Sequence, residues 1–206
     1  MRTTHAIYEQ AGGVAVASLE RSSTTVEADV RRLLSADAVP CVVAVGTFDG
    51  VHRGHQALLR AAAEAARTQA LECVAVTFSP RPDVVRAGGH ALPDICPLEA
   101  RIRRLRRAGA DRVVVVPFSL ELAAVSYEVF AEMLTGCLQM RTLYVGADFA
   151  FGAGRAGTPP RLRELGIDVR THPLVMAADS DDKVSSTSIR RLISLVHEGA
   201  MITAVG

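Results

Sequence analysis

From Cys41 onward, short apolar runs alternate with longer segments of helical character. The runs Cys41–Val45, Cys73–Phe78, Arg112–Val116 and Thr142–Val145 are apolar at nearly consecutive positions rather than at every second one. That is the pattern of strands covered on both faces. Between them, His55–Ala70 is rich in alanine and leucine and contains neither Gly nor Pro. Leu98–Ala108 carries arginines on one side and Ile102 and Leu105 on the other, with Gly109 placed to stop the helix. Ser126–Leu138 opens on a serine suited to an N-cap, and Glu128 falls in the first turn, where a carboxylate complements the helix dipole. Upstream, Val26–Leu34 reads as one short amphipathic helix leaving through Ser35-Ala36-Asp37. Residues 1–40 are otherwise uninformative, an N-terminal extension either packed with or loosely attached to a domain spanning 41–206.

Strand–helix–strand repetition predicts right-handed βαβ units, hence an α/β domain with a parallel sheet and helices on both faces. Ligands in such sheets lie beyond the carboxyl ends of the strands. The chemical residues are therefore expected in Gly46–His55, Ser79–Pro82, Pro117–Phe118 and Gly146–Gly152. Gly152–Pro160 and the acidic stretch Ala177–Lys183 read as surface loops, with a flap over the site as the alternative.

Composition narrows the setting. The chain has 206 residues, 49% hydrophobic and 22% charged, enough for one domain with a substantial core. Its formal net charge of +1 provides no overall field to recruit nucleic acid or an anionic membrane. No run approaches the roughly 20 apolar residues of a membrane span, and Met1–Gln10 lacks the layout of a secretory signal. A cytoplasmic protein without nucleic-acid or membrane partners is expected. Cys41, Cys73, Cys96 and Cys137 form no Cys-x-x-Cys pair, so buried free thiols are expected rather than a zinc site.

The chemistry concentrates in two places. Gly46–His55 follows a buried strand and opens a helix, so backbone amides and the positive end of the helix dipole converge on one point. His52 and His55 can donate there to phosphate oxygens, and Gly54 lets the backbone approach closely. Taken alone, His-x-Gly-His is also compatible with two ordinary loop histidines. Ser185, Ser186 and Thr187 stand at or before a second helix start, with Arg190 one turn on, able to fork onto an anion. A serine-rich N-cap of a surface helix is the plainer alternative there. Lys183, the one lysine of the chain, lies just upstream.

Gly46–Gln56 resembles the opening motif of the FMN adenylyltransferase module of bacterial bifunctional riboflavin kinase/FAD synthetases. Four further blocks resemble that family in the same order: Thr77–Pro82; Val113–Phe118 with Ser126–Phe130; Val145–Gly152 with Arg155 and Gly157; and Lys183–Arg190. The resemblance covers roughly residues 41 to 200. It implies a Rossmann-like nucleotidyltransferase fold in which adenylyl transfer from ATP to FMN gives FAD and pyrophosphate. His52, His55 and Arg190 would be catalytic. Gly46, Thr47, Phe48, Asp49, Gly54, Ser185, Ser186 and Thr187 would bind ATP. Pro80, Arg81, Pro82, Asp148 and Phe149 would serve the flavin side, with Asp148 and Phe149 contacting substrate or metal. Mg2+ would accompany ATP without a dedicated protein cage.

Three departures stand out. Arg81 occupies a position where many relatives have histidine, placing a charge beside the expected flavin pocket. Thr158–Asp168 is shorter than usual. Nothing resembles the kinase module's Gly-Phe-Pro-Thr-Ala-Asn motif, so a separate riboflavin kinase is expected to supply FMN, or the sequence is a piece of a longer protein. Adenylyl transfer to another phosphorylated acceptor or flavin analogue, or a non-catalytic nucleotide-binding paralogue, are the alternatives.

Overall fold

A strand covered on both faces must be apolar throughout, and the central strands satisfy this. In the computed structural model, which describes residues 14–16, 26–173, 185–190 and 192–193, every residue of β2 (Cys41–Val45) is buried. Around it lie β3 (Glu72–Ser79), β4 (Arg112–Pro117) and β5 (Met140–Gly146), with β1 (Val14–Val16) and β6 (Asp168–His172) at the edges. The spatial order is β1-β4-β3-β2-β5-β6, and all adjacent pairs are parallel.

Alternate residues of β2 feed opposite cores. Val42 and Ala44 pack with Leu58, Leu59 and Ala62 of α2 (Arg53–Thr68) and Leu105 of α4 (Leu98–Arg107). Val43 and Val45 pack on the other face with Leu33 and Leu34 of α1 (Val26–Ser35) and Phe130 of α6 (Tyr127–Glu132). The fold is thus α/β with a parallel sheet covered on both sides. Short helices α3 (Pro82–Arg86), α5 (Leu120–Ala124) and α7 (Pro159–Glu164) complete the connections, and residues 186–190 are helical. Ser126 caps α6 by accepting from Val129 N at 3.3 Å, and the helix continues as a π turn over Met133–Cys137.

Two expectations change. The arginines of α4 do not all face solvent: Arg101 is 1% exposed. It shares a face with Leu105, four residues on, and its guanidinium is used beneath the site. The edge strand β6 was not foreseen because only Val169 in it is buried, which leaves no apolar run to recognise. The stretch Ala177–Lys183, with Lys183, lies outside the described residues. Cys41, Cys73 and Cys96 are buried free thiols and Cys137 is half-buried; burial pushes the Cys41 and Cys73 thiols up to about 12. Among the described residues, no helix is long and apolar enough to cross a membrane.

The order places β2 between β3 and β5. The chain runs outward from β2 through β3 to β4, then returns to the other side of β2 as β5. Such a reversal leaves a crevice at the carboxyl ends of the two strands, between the loops that leave them in opposite directions. Gly46–His55 and Gly146–Gly152 border it.

Leu34 is fully buried in the core beneath α1. Leu34→Ala is expected to lower the unfolding free energy by about 2–5 kcal/mol, measured by urea denaturation. A loss below roughly 0.5 kcal/mol, the range of ordinary surface changes, would mean that α1 is only loosely attached.

Candidate active site

The loop after β2 turns sharply enough to need left-handed backbone at Phe48 (φ 51°), Gly50 (φ 74°) and Val51 (φ 47°). Gly50 has a second constraint: a Cβ there would stand 2.8 Å from Ile95 Cγ2. The turn buries Asp49 completely. Its Oδ1 accepts from Ile95 N at 3.0 Å, and Oδ2 accepts from Arg81 Nη1 at 3.1 Å and Arg190 Nη1 at 3.3 Å. A buried carboxylate requires such partners, because unpaired it forfeits hydration without recompense.

His52 follows as the N-cap of α2, its Nδ1 accepting from His55 N at 3.4 Å. A ring that accepts through Nδ1 carries its proton on Nε2, which is then the donor. The His52 and His55 rings stack with centroids 3.6 Å apart, and Phe48 stands edge-on to His55 at 5.1 Å. Burial pushes the His55 pKa down to about 3; the neighbouring His52 lowers it further and Asp148 opposes both. His55 is therefore a neutral imidazole near pH 7, and its buried Nδ1 has no protein hydrogen-bond partner.

Residues 185–190 close over this turn. Ser185 Oγ caps the helical segment by accepting from Ser188 N at 3.1 Å. Ser186 Oγ donates to the Asp49 carbonyl at 2.9 Å. Arg190 reaches Asp49, Asp83 Oδ2 at 3.1 Å and Thr187 Oγ1 at 3.4 Å. The two phosphate-type motifs, 137 residues apart at Ser186 and Asp49, thus meet.

They form one end of a cavity of about 800 Å3, within the size range of small-molecule sites. The other end is aromatic. Phe78 and Phe118 meet edge to face at 5.7 Å, Phe130 and Phe151 at 5.3 Å, and Phe149 lies 5.6 Å from Phe151. The loop bearing Phe149 and Phe151 is pressed on α6 at Gly152 (φ 74°), where a Cβ would fall 2.6 Å from Tyr127 N.

All the expected site residues line this cavity except Pro80 and Arg81. The Ser79–Pro80 peptide is cis, and the chain beyond it sends the Arg81 side chain into the interior, fully buried. Arg81 therefore adds no loose charge to the aromatic end. It is consumed by Asp49, Asp83, Asp94 and the Leu92 carbonyl. Asp83 and Arg86, both cavity-lining, fall in none of the segments singled out from the sequence; Phe130, also cavity-lining, entered only through the Ser126–Phe130 block, and Arg101 only as one of the arginines of α4. Arg101 ties the loops after β2 and β3 together by donating to Thr47 O at 3.3 Å and Phe78 O at 2.9 Å. The signal available for Arg101 was its spacing of four from Leu105; for Asp83 it was adjacency to Arg81-Pro82.

A family model described as FAD synthetase matches residues 34–188. The chain belongs to that family. It is 33% identical over 170 residues to the bifunctional riboflavin kinase/FMN adenylyltransferase of Escherichia coli K12, covering 80% of this chain and 54% of that protein. It is 40% identical over 152 residues to a putative bifunctional riboflavin kinase/FMN adenylyltransferase of Geobacillus thermodenitrificans, covering 74% and 82%. The chain thus spans about half the length of the Escherichia coli relative. A solved structure of a macrolide-efflux protein from Streptococcus pneumoniae superposes with a TM-score of 0.65 at 28% identity, over 76% of this chain and 53% of that one.

Within this FAD synthetase domain, no cluster of three or more His, Cys, Asp or Glu side chains could cage a metal ion among the described residues. Asp49 and Asp83 are committed to Arg81 and Arg190. Asp148 is on the opposite, β5 side of the cavity. A single cavity-lining carboxylate is compatible with Mg2+, which keeps several waters and leans on substrate oxygens.

The folded pKa of His55 lies below the ordinary 6.5, so between those values the unfolded chain binds a proton that the folded chain refuses. Stability must then fall as pH drops below about 6.5. Between pH 7 and 4.5 the wild type is expected to lose more thermal stability than His55→Gln, read from melting curves. An equal or larger acid loss in the variant would contradict a buried neutral imidazole.

Proposed function

We propose that this domain transfers the adenylyl group of ATP to FMN, giving FAD and pyrophosphate. The observation that carries the reading is the meeting of Gly46–His55 with Ser185–Arg190 at Asp49, at one end of a cavity whose other end is aromatic. The polar end suits a nucleotide's phosphates, and the aromatic end suits a planar isoalloxazine ring.

An oxygen of the FMN phosphate attacks the α-phosphorus of ATP in line. The bond from that phosphorus to the bridging oxygen breaks, and pyrophosphate leaves with the electron pair. The protein supplies position and charge stabilisation, with no covalent bond of its own. His52 donates from Nε2, and His55 donates through the one N–H of a neutral ring. The His55 amide is taken by His52 Nδ1, which leaves those of Arg53 and Gly54 at the head of α2 to add donors to the same oxygens. Ser186, Thr187 and Arg190 receive the charge that develops on pyrophosphate. Mg2+, with Asp148 as its protein ligand, would shield the phosphates electrostatically. FMN would come from a riboflavin kinase, either a separate protein or an adjoining module, in a cytoplasmic setting.

Incubation with ATP, Mg2+ and FMN should yield FAD, seen by chromatography, and an equal amount of pyrophosphate. Tight ATP binding without FAD would overturn the reading in favour of another phosphorylated acceptor or a non-catalytic role. His55→Ala is expected to cut turnover by about 10²–10³-fold with a wild-type circular dichroism spectrum; an unchanged rate would remove this imidazole from the mechanism. In titrations, Arg190→Ala should weaken ATP binding more than FMN binding, and the reverse order would exclude Arg190 from the phosphate site.

A further inference from the structure

Beneath the phosphate end, three guanidiniums face three carboxylates: Arg81, Arg101 and Arg190 against Asp49, Asp83 and Asp94. Arg81 and Asp49 are fully buried at the centre of the group, whereas Asp83 and Asp94 are partly exposed. Arg81 grips Asp83 with two bonds, Nε to Oδ1 at 3.0 Å and Nη2 to Oδ2 at 3.1 Å. Its Nη1 donates to Asp49 Oδ2 at 3.1 Å and Asp94 Oδ1 at 2.6 Å. Arg190 approaches from the cavity side and bonds Asp49 Oδ2 at 3.3 Å and Asp83 Oδ2 at 3.1 Å. Both carboxylate oxygens that hold Arg190 are thus also held by Arg81.

That sharing has a consequence for ligand binding. Asp49 has no access to water, so a single arginine paired with it could not depart without stranding a buried charge. With Arg81 permanently in place, Arg190 can exchange these carboxylates for phosphate oxygens while Asp49 and Asp83 remain paired. Arg81 also prevents the two carboxylates from presenting uncompensated negative charge to an incoming polyphosphate. Burial alone would raise the Asp83 pKa, but hydrogen bonding and charge from Arg81, with help from Arg190, hold it below the usual carboxylate range. The Asp83 carboxylate therefore remains ionised and continues to compete for Arg190.

We propose that Arg81 is a positioning residue for nucleotide binding: by keeping Asp49 and Asp83 paired, it releases Arg190 to the phosphates. The inference rests on the adenylyl-transfer reading only in taking ATP as the polyphosphate. The carboxylate opposing it, Asp83, is named by the same geometry, so removing that carboxylate should undo part of the damage done by losing Arg81. A purely structural arginine would give losses that add.

Calorimetric titration with ATP and separately with FMN tests this on the wild type, Arg81→Met, Asp83→Asn and the double variant, each checked by its melting curve. Arg81→Met is expected to weaken ATP binding by about tenfold or more, the scale of coupling within one ion-pair network, with FMN binding changed less than about threefold on the same scale. The double variant should bind ATP more tightly than Arg81→Met alone. Wild-type ATP affinity in Arg81→Met, a larger loss for FMN than for ATP, or a double variant weaker than the single would each overturn the proposal. Should Arg81→Met fail to fold, Asp83→Asn alone decides: it should bind ATP at least as tightly as wild type, and weaker binding would overturn the proposal. Since the readout is ATP affinity, it is separable from catalysis. ATP binding without FAD formation would sink the adenylyl-transfer reading and leave the role of Arg81 still measurable.

Discussion

The polar end of the cavity is organised around one carboxylate with no access to water. Asp49 is forced inside by the left-handed turn after β2, and a charge in that position must be matched by donors from elsewhere in the chain. Arg81 comes from the turn after β3, the Ile95 amide from the approach to α4, and Arg190 from the distant C-terminal motif. Ser186 adds a bond to the carbonyl of the same residue. Satisfying Asp49 therefore assembles three sequence-distant segments around the head of α2, where the histidines stand.

Around that point the cavity divides its labour. Arg190, Ser186 and Thr187 lie by the loop after β2, while the phenylalanines cluster between β3, α6 and the loop after β5, with Arg86 over the Phe118 ring. His55 contributes a neutral ring, because burial pushes its pKa down to about 3 and the His52 ring stacked at 3.6 Å lowers it further. Among the arginines lining the cavity, Arg190 is balanced by Asp49 and Asp83.

The sheet determines where this happens. β2 neighbours both β3 and β5, and the loops leaving β2 and β5 diverge around a crevice. The FAD synthetase family relationship over residues 34–188 concerns this same body of structure, from the end of α1 to the helical start at 185–190. α1 itself belongs physically to the core, since Val30, Leu33 and Leu34 are buried beneath it.

The sequence by itself determined the four central strands, the long helices and the serine caps, because these depend on periodicity and on neighbours a few residues apart. It also singled out the strand-end loops that line the cavity, because glycine and histidine after a buried strand are visible locally. Only the tertiary structure decided the edge strand β6, where a single buried valine leaves no pattern. It alone decided the fate of the arginines as well. Arg81 looked like a charge beside the aromatic pocket, and Arg101 like one of several solvent-facing residues on α4; both are buried structural ties. The reason is physical. Apolar burial is written in the pattern along the chain, but a charged side chain goes inside only where partners await it, and those partners stand 32 residues away for Arg81 and Asp49 and 141 away for Arg190 and Asp49.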